Sequence, residues 1–518
     1  MKSGIMEQNL CLSNRASGVL LHPTSLPGKY GIGDIGPAAH KFIEFLSSSS
    51  QSWWQMLPVG PAGFADSPYA ALSAFAGNHL LISPELLVEE GWMEQKDIRP
   101  SGGDPERVDY GDVLASKTAI LRRAMTNFYG KTAKSGREEF DGFCSINWTW
   151  LDDYALFMAL KEESGGSSWT TWAPELRRRD KGALDEARKR LATEIRFWKF
   201  TQFCFGRQWE KLRAKSRELG VALLGDMPIF VNHDSSDVWA RPELFRMDSD
   251  GNPESVAGVP PDYFSSEGQW WGNPLYRWDV MRNDGYSWWL DRFKRTFSMF
   301  DAVRIDHFIG FHRYWAIPSS SKSAKEGHYE AGPGMHFFET ILGQLGSLPL
   351  LAEDLGIVTP EVTQLRERFG FPGMRVLQFA FGGDETNPYL PRNCTENSFI
   401  YTGTHDNDTT MGWYSGTEGK GSTRSGEQVA KERDAFLALV GGGTGEPHWD
   451  LIKLAMDTVC RVSVFPAQDL LGLGSSARMN VPGVNDGNWQ WRLKEGALGV
   501  EIAARLGTLT RSSKRSKE

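Results

Sequence analysis

The chain has 518 residues, of which 40% are apolar, 12% aromatic and 24% charged, a composition that supports a large buried core and excludes disorder as the main state. Its 57 basic and 65 acidic residues leave a net charge of −8, which argues against a nucleic-acid binder that works by neutralising phosphates and favours an uncharged partner. Five scattered cysteines without a CxxC pair point to neither a disulfide frame nor a thiolate zinc site, and suit a reducing cytosol.

Met1 to Arg15 holds no apolar run long enough for a secretion signal, and no later segment has the uninterrupted apolar length of a membrane span. A cytoplasmic protein without membrane attachment is therefore expected. In chain order, short apolar, β-branched or aromatic runs closed by polar or Gly/Pro-rich stretches predict eight strands. They are Ser17–His22, Ser52–Pro58, Val221–Phe230, Ala302–His307, Pro349–Asp354, Met374–Phe379, Ser398–Gly403 and Val462–Pro466.

About 160 residues lie between the second and third strands, and helical patterns at Asp112–Phe128 and Leu151–Leu160 make this stretch a mainly helical insertion at about 85–195. Ile195, Trp198, Phe205, Trp209 and Leu212 then share one helical face, and Gly220 offers a stop before the third strand. The next stretch, at about 231–300, is rich in Gly, Pro, Trp and Tyr and predicts a long ordered loop over the barrel mouth. Gly441–Gly445 lacks the Lys and Ser/Thr of a phosphate loop and reads as a turn, while the basic, Ser-rich Arg511–Glu518 reads as a frayed tail. Strands alternating with helices predict one (β/α)8 TIM barrel domain over 1–518, although by pattern alone a doubly wound sheet fits nearly as well.

Four of the predicted strands end in acidic residues: Asp226 in GDMP, Asp306 in RIDH, Glu353 in AEDLG and Asp406 in THDND. One such residue commonly caps a helix, but strand C-termini converge on one face of a barrel, where four carboxylates would surround one pocket. Alternation along a strand turns Arg304 and Asp306 the same way, so that a guanidinium lies beside the carboxylate and favours its ionised form. The same alternation lets only one of Glu353 and Asp354 face the pocket and does not choose between them. An ionised carboxylate beside a protonated carboxyl, about 5 Å apart, is what retaining glycosidic chemistry needs. The aromatics Tyr263, Phe264, Trp270, Trp271 and Tyr276 are available for stacking on sugar rings, with packing of the loop onto the barrel as the simpler use for more than half of them.

At these residues the sequence resembles the 4-α-glucanotransferase family, also called amylomaltases or disproportionating enzymes, a branch of the α-amylase superfamily. The resemblance runs through GVLLHPTSLPGKYGIGDIG from Gly18, WWQMLPVGP from Trp53, DSPYAALSAFAGN from Asp66, VAGVPPDYFSSEGQWWGNPLY from Val256 and GFPGMRVLQFAF from Gly370, and ends in RMNVPGVNDGNWQWR from Arg478. It implies Asp306 as nucleophile, Glu353 as general acid/base and Asp406 as transition-state stabiliser. Tyr69, Asp226, Gln269, Trp271, Arg304 and His405 are implied as glucan contacts. The implied reaction moves α-1,4-glucan segments from a donor maltodextrin to the 4-OH of glucose or another glucan through a covalent glycosyl-aspartate, with no cofactor and no metal. One departure is His79 in AGNH, where the family usually has Pro.

Two rivals compete with this reading. His22, His307 and His405 also sit near strand ends, as a metal-dependent barrel hydrolase would place them, yet Pro23 and Thr24 follow His22 where that chemistry needs a second histidine. A silent glucan-binding protein would have lost a carboxylate, and all three are present.

Overall fold

A computed structural model describes residues 12, 14–131, 134–261, 267–416 and 424–516. Its main sheet has eight strands: β1 (Ala16–Leu20), β2 (Trp53–Gln55), β3 (Ala222–Pro228), β4 (Ala302–Asp306), β5 (Leu350–Ala352), β6 (Gly373–Val376), β7 (Ser398–Tyr401) and β8 (Val462–Pro466). In space they run β6-β7-β8-β1-β2-β3-β4-β5, every ladder parallel. At the remaining seam the Ala352 amide donates to the Pro372 carbonyl at 2.9 Å, which brings β5 against β6 and curls the sheet into a (β/α)8 barrel. Each strand coincides with one of the predicted runs. Several stop two or three residues early, because the chain leaves the ladder to build the loops of the C-terminal face.

Alternation sorts the strand side chains into two cores. Leu20, Trp53, Leu224, Leu351, Met374, Val376, Phe399, Tyr401, Val462 and Val464 fill the barrel interior. Val19, Trp54, Leu223, Val303, Ile305, Leu350, Ala352, Ile400 and Phe465 meet the surrounding helices. The Trp53–Trp54 pair is thus split between the two, and both rings are buried. Gly225 faces outward, where a Cβ would lie 2.5 Å from the Phe300 ring. Its lack of a side chain lets the helix before β4 approach.

Between β2 and β3 the chain forms helices at Pro84–Glu89, Tyr110–Lys131, Lys134–Ile146, Trp148–Glu163, Pro174–Arg177, Lys181–Arg190 and Ala192–Glu218. The last buries Trp198, Phe205, Trp209 and Leu212 and is followed by Gly220 at φ +68. His79 is buried and opens a short turn, His79–Leu81, in which the Asn78 side chain accepts from the Leu80 amide at 2.9 Å.

The stretch predicted as a loop at 231–300 holds more order than its composition implied. Ser255–Val259 and Gln269–Pro274 pair antiparallel, and Arg313–Pro318 and His328–Ala331 extend them into a second sheet of four strands. These strands are short, carry Gly and Pro, and find their partners beyond β4, so local pattern did not reveal them. Ser287–Met299 is helical and buries Trp288, Trp289 and Phe293.

The C-terminus also corrects its expectation. A helix runs from Val500 to Ser512, and Arg515 beyond it is fully buried. Its guanidinium donates to the carbonyls of Met456, Ala16, Arg461 and Thr458 at 2.8 to 3.1 Å, closing the N-terminal end of the barrel. Charge-assisted bonds to buried acceptors outweigh the composition that suggested fraying. Arg515→Ala is expected to cost about 3 kcal/mol, because several buried carbonyls lose their donor. The urea midpoint should fall while kcat/KM stays within about twofold.

Candidate active site

The register of β3 with β4 sets Asp226 opposite Arg304 and Pro228 opposite Asp306. In parallel strands paired residues share a face, so Asp226, Arg304 and Asp306 all turn inward near the C-terminal mouth. Arg304 donates from Nε to Asp226 Oδ1 at 3.1 Å and from Nη2 to Asp226 Oδ2 at 2.8 Å, a bidentate grip. The same Nη2 lies 2.8 Å from Asp306 Oδ1. Tyr69, from the loop after β2, donates its hydroxyl to Asp226 Oδ2 at 2.7 Å. Asp226 and Arg304 are therefore buried and mutually satisfied, whereas the Asp306 carboxylate keeps 30% of its surface open toward the mouth.

Burial pushes the Asp306 carboxyl above the usual aspartate range, the nearby Asp406 charge adds to this, and Arg304 opposes it. Alternation correctly placed the guanidinium, but desolvation is the larger effect and Arg304 divides its donors between two carboxylates. Glu353 follows the last residue of β5 and is pushed up to about 8, first by burial and then by the Asp306 charge. Its Oε2 accepts from the His307 amide at 2.7 Å. His307 supplies that amide from a left-handed backbone, φ +56, and its ring stands edge-on to Trp271 at 4.9 Å.

Asp354 turns away from the mouth. Its Oδ1 accepts from the Met374 amide at 2.7 Å, and it pairs with Arg366 at 3.2 Å and Arg375 at 3.6 Å. The alternatives that alternation left open are therefore resolved: Glu353 lies with Asp306, and Asp354 is committed to β6 and a helix.

Asp406 lies in the loop after β7. The Asn480 side chain donates to its Oδ1 at 2.6 Å, and Arg478 donates to its carbonyl at 2.6 Å. His405 Nε2 is 3.3 Å from Asp406 Oδ2. The His405 ring stacks on Tyr69 at 5.0 Å and leans on Trp489 at 5.9 Å. Burial lowers its pKa against the pull of Asp406, so a neutral imidazole faces the site at neutral pH.

Gln269 and Trp271 come from the second sheet, where the indole donates to Gln269 Oε1 at 3.1 Å and remains 37% exposed. Trp270 is exposed too, while Tyr276 is buried and donates its hydroxyl to the Ile229 carbonyl, a packing role rather than a stacking one. Tyr263 and Phe264 lie outside the described residues. Asn480, Arg478 and Trp489 carried no role in the sequence reading, although all belong to the motif RMNVPGVNDGNWQWR. Its position in the loop after the eighth strand was the signal available. Among the described residues no grouping of three or more His, Cys, Asp and Glu side chains has the geometry to hold a metal ion, so His22, His307 and His405 do not form a ligand set. His22 is buried and pushed down to about 3, chiefly by desolvation.

The arrangement offers an accessible carboxylate on a cation, a neighbouring carboxyl that keeps its proton near neutral pH, a third carboxylate on an amide donor, and an exposed indole at the rim. Comparison with known proteins bears on it. A family model described as 4-alpha-glucanotransferase matches residues 21–498. The chain is similar to the 4-alpha-glucanotransferase of Thermus thermophilus, 48% identical over 510 residues covering 97% of this chain and 99% of the other. It is also similar to that of Synechocystis sp., 45% identical over 504 residues covering 96% and 98%. Among solved structures it resembles an amylomaltase from Streptococcus agalactiae in complex with acarbose, with a TM-score of 0.91, 37% identity, and coverage of 97% of this chain and 100% of that one.

Proposed function

The chain belongs to the 4-α-glucanotransferase family, and on that premise we propose that it moves α-1,4-glucan segments between maltodextrins with retention, through a glycosyl-aspartate on Asp306. The observation that carries this mechanism is the contrast between two neighbouring carboxyls. Burial raises both, but Asp306 bonds directly to a guanidinium, whereas Glu353 accepts from the His307 amide, feels the Asp306 charge and is held near 8. One environment suits a nucleophile and the other an acid.

In the first step an Asp306 oxygen bonds to the anomeric carbon while the glycosidic bond breaks, and the departing 4-oxygen takes the Glu353 proton. In the second, the 4-OH of an acceptor gives its proton to the Glu353 carboxylate as its oxygen bonds to the same carbon and expels Asp306. Two inversions give net retention. Asp406, fixed by Asn480, stabilises the positive charge that develops on the ring. Tyr69, Asp226, Arg304 and His405 hold the sugar on one side of the scissile bond, with Gln269 and Trp271 contacting the glucan from the second sheet.

The whole chain is read as one catalytic unit with insertions at about 85–195 and 231–300. The scattered cysteines without a CxxC pair support a reducing, cytoplasmic setting, and no helix of the described residues is long and apolar enough to cross a membrane.

Transfer should outrun hydrolysis, because a sugar acceptor gains stacking and hydrogen bonds at the mouth that water cannot use. Disproportionation conserves reducing ends, while hydrolysis adds one for each bond cut. With maltotriose, glucose and longer maltodextrins should appear together at nearly constant reducing-end concentration. A rise that matches glucose release from the start would instead identify an α-glucan hydrolase.

A further inference from the structure

The barrel has one weak seam, and the acid/base carboxyl stands beside it. Seven neighbouring pairs of strands are joined by ladders among the described residues, whereas β5 and β6 are not. On the β4 side Glu353 is pinned through its main chain: its amide donates to the Ile305 carbonyl and its carbonyl accepts from the Phe308 amide, both at 3.1 Å. On the β6 side the Ala352 amide, just before Glu353, reaches the Pro372 carbonyl at 2.9 Å, and beyond that bond the place of a strand carbonyl is taken by a side chain. Asp354 Oδ1 accepts from the Met374 amide at 2.7 Å, where a ladder bond would have come from the backbone.

The carboxylate of Asp354 is buried, with Arg366 Nε 3.2 Å from Oδ2 and Arg375 Nη1 3.6 Å from Oδ1. Arg366 also donates to the Phe371 carbonyl at 3.2 Å, just ahead of β6. The fit leaves no slack, for a Cβ on Gly373 would stand 2.6 Å from Asp354 Oδ2. Glu353 thus sits between two links from β5 to β6, the main-chain bond of Ala352 before it and the side-chain bond of Asp354 after it.

We infer that Asp354 is a positioning residue for proton transfer: by accepting the Met374 amide across the β5–β6 seam, and by its ion pairs with Arg366 and Arg375, it holds the Glu353 carboxyl where the leaving oxygen can take its proton. This rests on the reading of Glu353 as the acid/base. A misplaced acid harms only departures that need a proton. The glycosidic oxygen of a glucan needs one; the fluoride of α-maltosyl fluoride does not, and kcat/KM for its release reports only the steps up to C–F cleavage.

Asp354→Ala is therefore expected to lower kcat/KM on maltotriose by about 100-fold while fluoride release falls by less than about fivefold. The basic limb of the maltotriose profile should flatten. Asp354→Asn, which keeps an acceptor for the Met374 amide but loses the charge facing both arginines, should show a smaller loss with the same selectivity. Gly373→Ala, which crowds the carboxylate from β6, should do likewise, and these two variants cover a failure of Asp354→Ala to fold. Equal loss on both substrates in folded protein, or no loss on either, overturns the inference. Glu353→Gln separates the two levels. If its loss is not selective, the acid/base reading fails and the inference falls with it; if it is selective and the Asp354 and Gly373 variants are not, only the positioning role is overturned.

Discussion

Asp306→Ala is expected to lose turnover by about three powers of ten or more while the protein folds normally, since in the proposed mechanism Asp306 forms the covalent bond to the anomeric carbon. The site explains why the loss should be confined to chemistry. Arg304 keeps its bidentate grip on Asp226 when Asp306 is gone, so the guanidinium is not left unpaired in the barrel and the network through Tyr69 persists. Asp306 is itself partly open to solvent, and its removal creates no dry cavity. Circular dichroism and the thermal midpoint should match the parent, while transfer from maltotriose disappears. A folded variant that retains more than about a tenth of the rate would remove Asp306 from the role of nucleophile.

The second large effect concerns the proton on Glu353. An acid works only while protonated, and burial together with the Asp306 charge holds this group at about 8. Activity should therefore decline as pH rises through about 8, where Glu353 loses its proton, and not near the ordinary glutamate range. The acidic limb has the opposite sign. Asp306 must be ionised, its carboxyl is raised above the usual aspartate value, and the rate should fall as pH drops through that raised value. A bell-shaped kcat/KM profile results, whose limbs belong to the coupled pair. Glu353→Gln should cost about two to four powers of ten on maltotriose and abolish the basic limb. If that variant keeps both the magnitude and the basic limb of the parent, another group supplies the proton.

Much of this was determined by the sequence itself, wherever the deciding interaction is local. Apolar runs closed by turn formers located all eight barrel strands, because burial on both faces of a parallel strand demands such runs. The period of two placed Arg304 beside Asp306 before any partner strand was known. The same rule stalled at Glu353 and Asp354. There the ladder ends, and the orientation of each carboxyl depends on β4 on one side and β6 on the other.

Partners that meet only after closure were likewise out of reach. Asn480 reaches Asp406 across 74 residues of sequence, the second sheet pairs strands on both sides of β4, and Arg515 finds the carbonyls of Ala16 and Thr458 at opposite ends of the chain. Composition could suggest stacking for Tyr276 and fraying for the basic terminus, yet the tertiary structure buried Tyr276 and Arg515. Propensity and alternation act within a few residues, whereas burial and the satisfaction of buried polar groups are properties of the closed barrel.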